Sequence, residues 1–108
     1  AAAGSSDGSY LLGALAVDVV DGVARLHEGG SIAGSTLLLD AAFRRAVFDL
    51  GVAVPEAVAM LTATPARTLG VQDHLGRLAP GYAADVLLWD EGLHLLRGWA
   101  AGREFSAA

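Results

Sequence analysis

Three histidines, His27, His74 and His94, are the side chains of this chain best suited to metal binding or proton transfer. None has another at i+2 or i+4, the spacings that put two imidazoles on one face of a strand or helix, so no metal-ligand pattern is present. The sequence contains no cysteine, which removes thiolate sites and disulfide frames together. The aspartates read as turn residues. Asp85 precedes an apolar run and Asp90 follows it, while Asp7, Asp18 and Asp21 stand in loop or hairpin contexts, where short carboxylates bond to nearby backbone N–H groups. Ser9, Ser31 and Ser35 have no His and Asp spaced to mark a nucleophile, and Ser35 is better placed as a helix cap. Gly4 and Gly8 lack the spacing and the preceding strand of a nucleotide-binding turn. Trp89 and Trp99 fall in strand-like runs, where indoles more often build core than platforms for ligands. No catalytic residue and no metal ligand is expected within the chain.

One stretch stands apart. Gly29-Gly30-Ser31-Ile32-Ala33-Gly34-Ser35 is expensive in backbone entropy, and glycines let a chain pass close to a ligand. It leads to a helix start, where free N–H groups can meet an oxygen-rich ligand. On residue chemistry alone, a binding loop and a plain connector explain it equally well.

The elements that must position this loop follow from periodicity. Residues 1–9 read as loop, and residues 10–16 and 17–26 as strands, the second interrupted by Asp21-Gly22. Asp-Gly between apolar arms is the strongest hairpin signal in the chain. Ser35 or Thr36 can cap a helix with Asp40 in its first turn. Leu39, Ala42, Phe43, Ala46, Val47 and Leu50 recur at helical spacing, with Arg44, Arg45 and Asp49 mainly on the other face, and Gly51 is placed to end the helix. A second helix opens at Pro55 and Glu56, with Val54, Ala57, Val58 and Leu61 on one face. Thr64 is expected to cap a short third helix, with Pro65 in its first position and Gly70 at its end. Pro80-Gly81 forms a tight turn, and residues 86–89 form a strand covered on both faces. A further strand over residues 93–100 and a turn at Ala101-Gly102 complete the order of strands, helices, strands.

Composition narrows the classes. Hydrophobic residues make up 54% of the 108 and charged residues 18%, which argues against disorder. That apolar share is high for a free-standing domain of this size, whose surface needs polar cover, and points to a piece of something larger. Net charge is −5 and all seven basic residues are arginines without a cluster, so no nucleic-acid partner is expected. No apolar run approaches the ~18–20 residues of a membrane span. The chain is expected to have no membrane association and a cytoplasmic location.

Thr64-Pro65-Ala66-Arg67-Thr68-Leu69-Gly70, followed by Gly76-Arg77-Leu78-Ala79-Pro80-Gly81-Tyr82-Ala83-Ala84-Asp85 and an apolar strand, resembles the C-terminal signature of metal-dependent amidohydrolases. Asp21-Gly22-Val23-Ala24-Arg25-Leu26 with Gly30-Ser31-Ile32-Ala33-Gly34-Ser35-Thr36-Leu37, before a helix ending in Leu50-Gly51, narrows the resemblance to the N-acetylglucosamine-6-phosphate deacetylase family. Ala1-Ala2-Ala3-Gly4, then Asp7-Gly8-Ser9-Tyr10, is similar to the stretch after that family's "TDAM" motif. Tyr82, where the family usually has a basic residue, and the polar Ser5-Ser6 pair depart from its pattern.

The resemblance implies an α/β fold: the C-terminal fragment of a (β/α)8 TIM-barrel amidohydrolase plus strands of its small β-sandwich. Residues 1–75 would end the barrel domain and residues 76–108 would supply sandwich strands. It implies hydrolysis of the acetamide of N-acetylglucosamine 6-phosphate, with a divalent metal (zinc or similar) and a general base whose residues lie outside this chain. The segment matching Ile32, Ala33 and Gly34 would line the bound sugar. The implied partners are the sugar phosphate, the missing N-terminal part of the same enzyme, and further copies in a homo-oligomer. Two other readings stand beside it: a dihydropyrimidinase-like or deaminase-like amidohydrolase, and a non-catalytic α+β module that binds a partner through its apolar strands.

Overall fold

The structure is a computed structural model and describes residues 3–105; Ala1 and Ala2, part of the opening motif, lie outside the described residues. The chain is α/β. Its elements in order are β1 (Gly8–Leu12), β2 (Leu15–Val20), β3 (Val23–Leu26), α1 (Leu39–Phe48), α2 (Val54–Leu61), α3 (Ala63–Thr68), β4 (Val86–Trp89), β5 (Leu95–Ala100) and β6 (Arg103–Phe105). Contacts within the chain divide it after Leu38 into two compact units. The expected 75/76 boundary concerns a different matter, how the chain would sit in a longer enzyme.

The first unit is an antiparallel meander in the order β1-β2-β3. Asp21 and Gly22 take positive φ of 50° and 71° between the register partners Val20 and Val23. That is a type I′ turn, whose twist suits paired strands. Asp7 holds it from outside: Asp21 N–H donates to Oδ2 at 2.8 Å and Gly22 N–H to Oδ1 at 3.1 Å. The single strand expected over residues 10–16 is instead broken by Gly13, whose φ of 62° turns the chain between the partners Leu12 and Leu15. Alternation then buries Val17 and Val19 with Ala24 and Ala33, and Tyr10 and Leu26 pack against them.

The second unit opens with α1, which starts later than its expected cap. Ser35 Oγ accepts from Leu37 N–H at 3.0 Å in a turn before the helix, and the Thr36 hydroxyl donates to Gly22 O at 2.6 Å. Neither residue caps α1. Phe43, Ala46 and Val47 face the core, but Leu39 and Leu50 are exposed. Arg44 is not on a solvent face: its Nη1 donates to Leu93 O at 3.2 Å and its Nη2 to Asp40 at 2.9 Å. Pro55 opens α2 as expected, and Ala57 is its buried residue. α3 begins at Ala63, so Thr64 lies inside the helix rather than capping it. Its C-terminus is a Schellman motif, with Gly70 at φ 71°, Gly70 N–H on Arg67 O at 3.1 Å and Val71 N–H on Ala66 O at 2.9 Å. At the next turn Gly81 has φ 87° and Tyr82 N–H reaches Ala79 O at 3.1 Å, as a Pro-Gly type II turn requires.

The second sheet has the order β4-β5-β6. Trp89 meets Phe43 edge-on, with ring centroids 5.4 Å apart, joining the sheet to α1. Leu87 and Leu88 are each nearly half exposed, so among the described residues β4 is not covered on both faces, and β5 is its one sheet neighbour. The expectation of a doubly covered strand fails because an apolar run states what a strand demands and not what supplies it. Gly98 and Phe105 are register partners, and a Cβ at Gly98 would overlap the Phe105 ring. Gly98→Val is therefore expected to destabilise the fold by about 1–3 kcal/mol, the usual range for overpacking. A denaturant midpoint of the intact enzyme that the substitution leaves unchanged would refute this.

Candidate functional site

The glycine-rich loop is held against β3. Leu26 N–H donates to Ser31 O at 2.8 Å and Ala33 N–H to Ala24 O at 2.9 Å, on either side of an antiparallel bridge between Arg25 and Ile32. The bridge sorts the expected site residues. Ala33 points into the meander core and is buried, so only its backbone faces outward. Ile32 is 69% exposed and belongs to no core cluster of its unit. Gly34 is exposed with φ 101°, a conformation that side-chain-bearing residues rarely adopt. The loop's far end is tied by the Thr36 bond to Gly22 and by Gly4 N–H to Thr36 O at 3.4 Å. A segment so tethered is preorganised: an apolar side chain and a bare backbone step are presented on a fixed frame.

A polar row unforeseen in the sequence crosses the meander. The Ser9 hydroxyl donates to Asp18 Oδ1 at 2.6 Å, and His27 Nδ1 lies 2.8 Å from Asp18 Oδ2. The three are nine residues apart in turn, and only strand register brings them together. They are not a nucleophilic triad, because the carboxylate stands between hydroxyl and imidazole and the imidazole has no line to the hydroxyl. The Ser9 hydroxyl first, and then His27, hold the Asp18 carboxyl below its usual value. The depressed folded value means that this row contributes stability above the ordinary carboxylate pKa of about 3.9 and loses it as pH falls through the folded value. A carboxyl NMR titration of Asp18 with a midpoint at or above the ordinary value would contradict that.

Asp85 and Asp90 behave as turn ligands. Asp85 Oδ1 accepts from Ala101 N–H at 2.7 Å, and Asp90 Oδ1 accepts from His94 N–H at 2.7 Å. Among the described residues no group of three His, Cys, Asp or Glu could hold a metal ion. The residues in hand therefore do not fit a metal centre. No helix is long and apolar enough to cross a membrane among the described residues.

Residues 11–104 match the model of the Amidohydrolase family. The chain belongs to that family. Among its amidohydrolase relatives, a putative N-acetylgalactosamine-6-phosphate deacetylase of Escherichia coli (strain K12) is 46% identical, over 94% of this chain and 60% of the relative. The solved N-acetylglucosamine-6-phosphate deacetylase of Thermotoga maritima is 38% identical with a TM-score of 0.85, over 95% of this chain and 28% of that one. A mutant of the Mycobacterium smegmatis enzyme, solved in complex with N-acetyl-D-glucosamine-6-phosphate, is 40% identical with a TM-score of 0.81, over 96% of this chain and 28% of that one. The chain thus spans 28% of these solved amidohydrolases and 60% of the Escherichia coli relative.

Proposed function

We propose that this chain is the C-terminal part of an N-acetylglucosamine-6-phosphate deacetylase, an enzyme of amino-sugar catabolism. The reaction is hydrolysis of the sugar's acetamide to glucosamine 6-phosphate and acetate. One observation carries the reading: 95–96% of the chain superposes on two solved enzymes of that name at 38–40% identity. A non-catalytic interaction module has no reason to follow a deacetylase so completely, and another amidohydrolase would be expected to share less of the chain. Residues 1–75 would close the barrel domain and residues 76–108 would contribute to a β-sandwich. Metal ligands (for zinc or a similar divalent ion) and the general base would come from residues outside this chain. The intact enzyme would be cytoplasmic and homo-oligomeric.

Ile32 and Gly34 would form one wall of the sugar-phosphate pocket, Ile32 through its side chain and Gly34 through its open backbone, with Ala33 contributing backbone alone. Loops at the C-terminal ends of barrel strands are where such folds build their sites. The 46% identity to the Escherichia coli relative favours a second substrate reading, N-acetylgalactosamine 6-phosphate. Acetate release by the intact enzyme from the two epimers, compared as kcat/KM, tests both. Failure to release acetate from either sugar would overturn the proposal. The 108-residue chain alone is expected to be inert, and turnover above a metal-only blank would refute that.

A further inference from the structure

We propose that Arg25 is the positioning residue of the sugar-binding loop, a role that rests on reading residues 32–34 as a wall of the pocket. Arg25 and Ile32 are bridge partners, and bridged residues of an antiparallel pair share a face. Their neighbours Ala24 and Ala33 turn into the core, which sends Arg25 and Ile32 together to the outer face. From there Arg25 Nη1 donates to Gly30 O at 2.9 Å. Gly29 and Gly30, at φ 81° and 65°, have nothing within 4 Å of where a Cβ would stand. Among the described residues nothing packs on the side of either glycine where a Cβ would stand, and glycine itself gives the backbone the most freedom to lose.

Among the described residues, Arg25 alone donates a side-chain hydrogen bond to the turn. Asp18 is its register partner on β2, yet that carboxylate is taken by Ser9 and His27. The guanidinium is left to Gly30. Through that bond a residue that need not touch the substrate sets the path of the two glycines and so the angle at which Ile32 leaves the sheet.

The test uses the intact enzyme and three variants. Arg25→Met keeps the stem and removes the donors, Arg25→Lys restores one, and Ile32→Ala probes the wall itself. Arg25→Met is expected to raise KM for the sugar phosphate about 3- to 10-fold, the span of one net hydrogen bond, with kcat nearly unchanged. Amide exchange over residues 30–34 should quicken, and Arg25→Lys should recover most of both effects. If Ile32→Ala raises KM but Arg25→Met moves neither KM nor exchange, the positioning role is overturned and the wall stands. If Ile32→Ala leaves KM unchanged, the wall reading falls and this inference falls with it. A lowered melting temperature for Arg25→Met with unchanged KM would mark the residue as structural only, which also overturns the role.

Discussion

Gly34→Val in the intact enzyme is expected to lower kcat/KM for N-acetylglucosamine 6-phosphate by about 10²-fold. The cause is backbone geometry. Gly34 sits at φ 101°, where a β-branched residue is strained by roughly 1–3 kcal/mol. The loop can shed that strain only by moving, and its two ends are fixed by the Ala33–Ala24 bond and by Thr36. A shift of about 1 Å in a substrate-positioning segment is enough for a loss of that size. Ile32→Ala isolates the contact from the strain. Its side chain is outside the core, so truncation should leave stability nearly intact while kcat/KM falls about 10-fold or more, as loss of a small apolar contact does. Arg45→Ala, on the exposed side of α1, is the control; Arg44 cannot serve, because it holds Asp40 and the Leu93 carbonyl. Unchanged melting temperature and catalytic efficiency in Gly34→Val would make the loop a connector and remove the site assignment.

What could be read from the residues was local. Asp21-Gly22, Gly70 and Pro80-Gly81 each demand a backbone conformation that few alternatives satisfy, and each turn forms where its residues require it. The core-facing stripe of buried Phe43 and partly buried Ala46 and Val47 follows from a 3.6-residue period in the same way. Gly13 was hidden because Leu12, Ala14 and Leu15 carry no polar mark, so an unbroken apolar run and a hairpin look alike. Contacts set by register or by distance were not legible either. Ser9, Asp18 and His27 meet only because three strands pair in one alignment, and Arg44 reaches a carbonyl 49 residues away. For the candidate site, the glycine density of residues 29–34 was visible in the chain. The inward turn of Ala33, the outward turn of Ile32 and the grip of Arg25 on Gly30 depend on a bridge that no local pattern announces.

The isolated 108-residue chain is expected to lack a cooperative unfolding transition and to associate in solution. Among the described residues the largest fully buried side chains, Val17 and Val19, both belong to the first unit, and the second unit's buried cluster is only Phe43, Ala57 and Leu93. Against this stand Leu11, Leu50, Leu69 and Leu78, each at least 74% exposed, together with Leu87 and Leu88, half exposed on the two faces of β4. In the second unit an open apolar groove of about 590 Å³ runs between α2, α3 and residues 75–83, lined by Val58, Pro65, Leu69, Val71, Leu75 and Leu78. Each large apolar side chain left in water forgoes roughly 1.5–3 kcal/mol, and a few of them equal the whole ~5–15 kcal/mol margin of an ordinary domain. β4 adds an edge with a single neighbour, and an apolar edge strand invites pairing with other chains. Hydrogen bonding does not compensate, because the ties that define the turns are mostly on the surface, where each contributes only about 0.5–1.5 kcal/mol. Calorimetry and light scattering on the purified chain supply the check. A sharp two-state melt in a monodisperse monomer would mean that these leucines are tolerated surface, and that the chain is a domain able to stand without further cover.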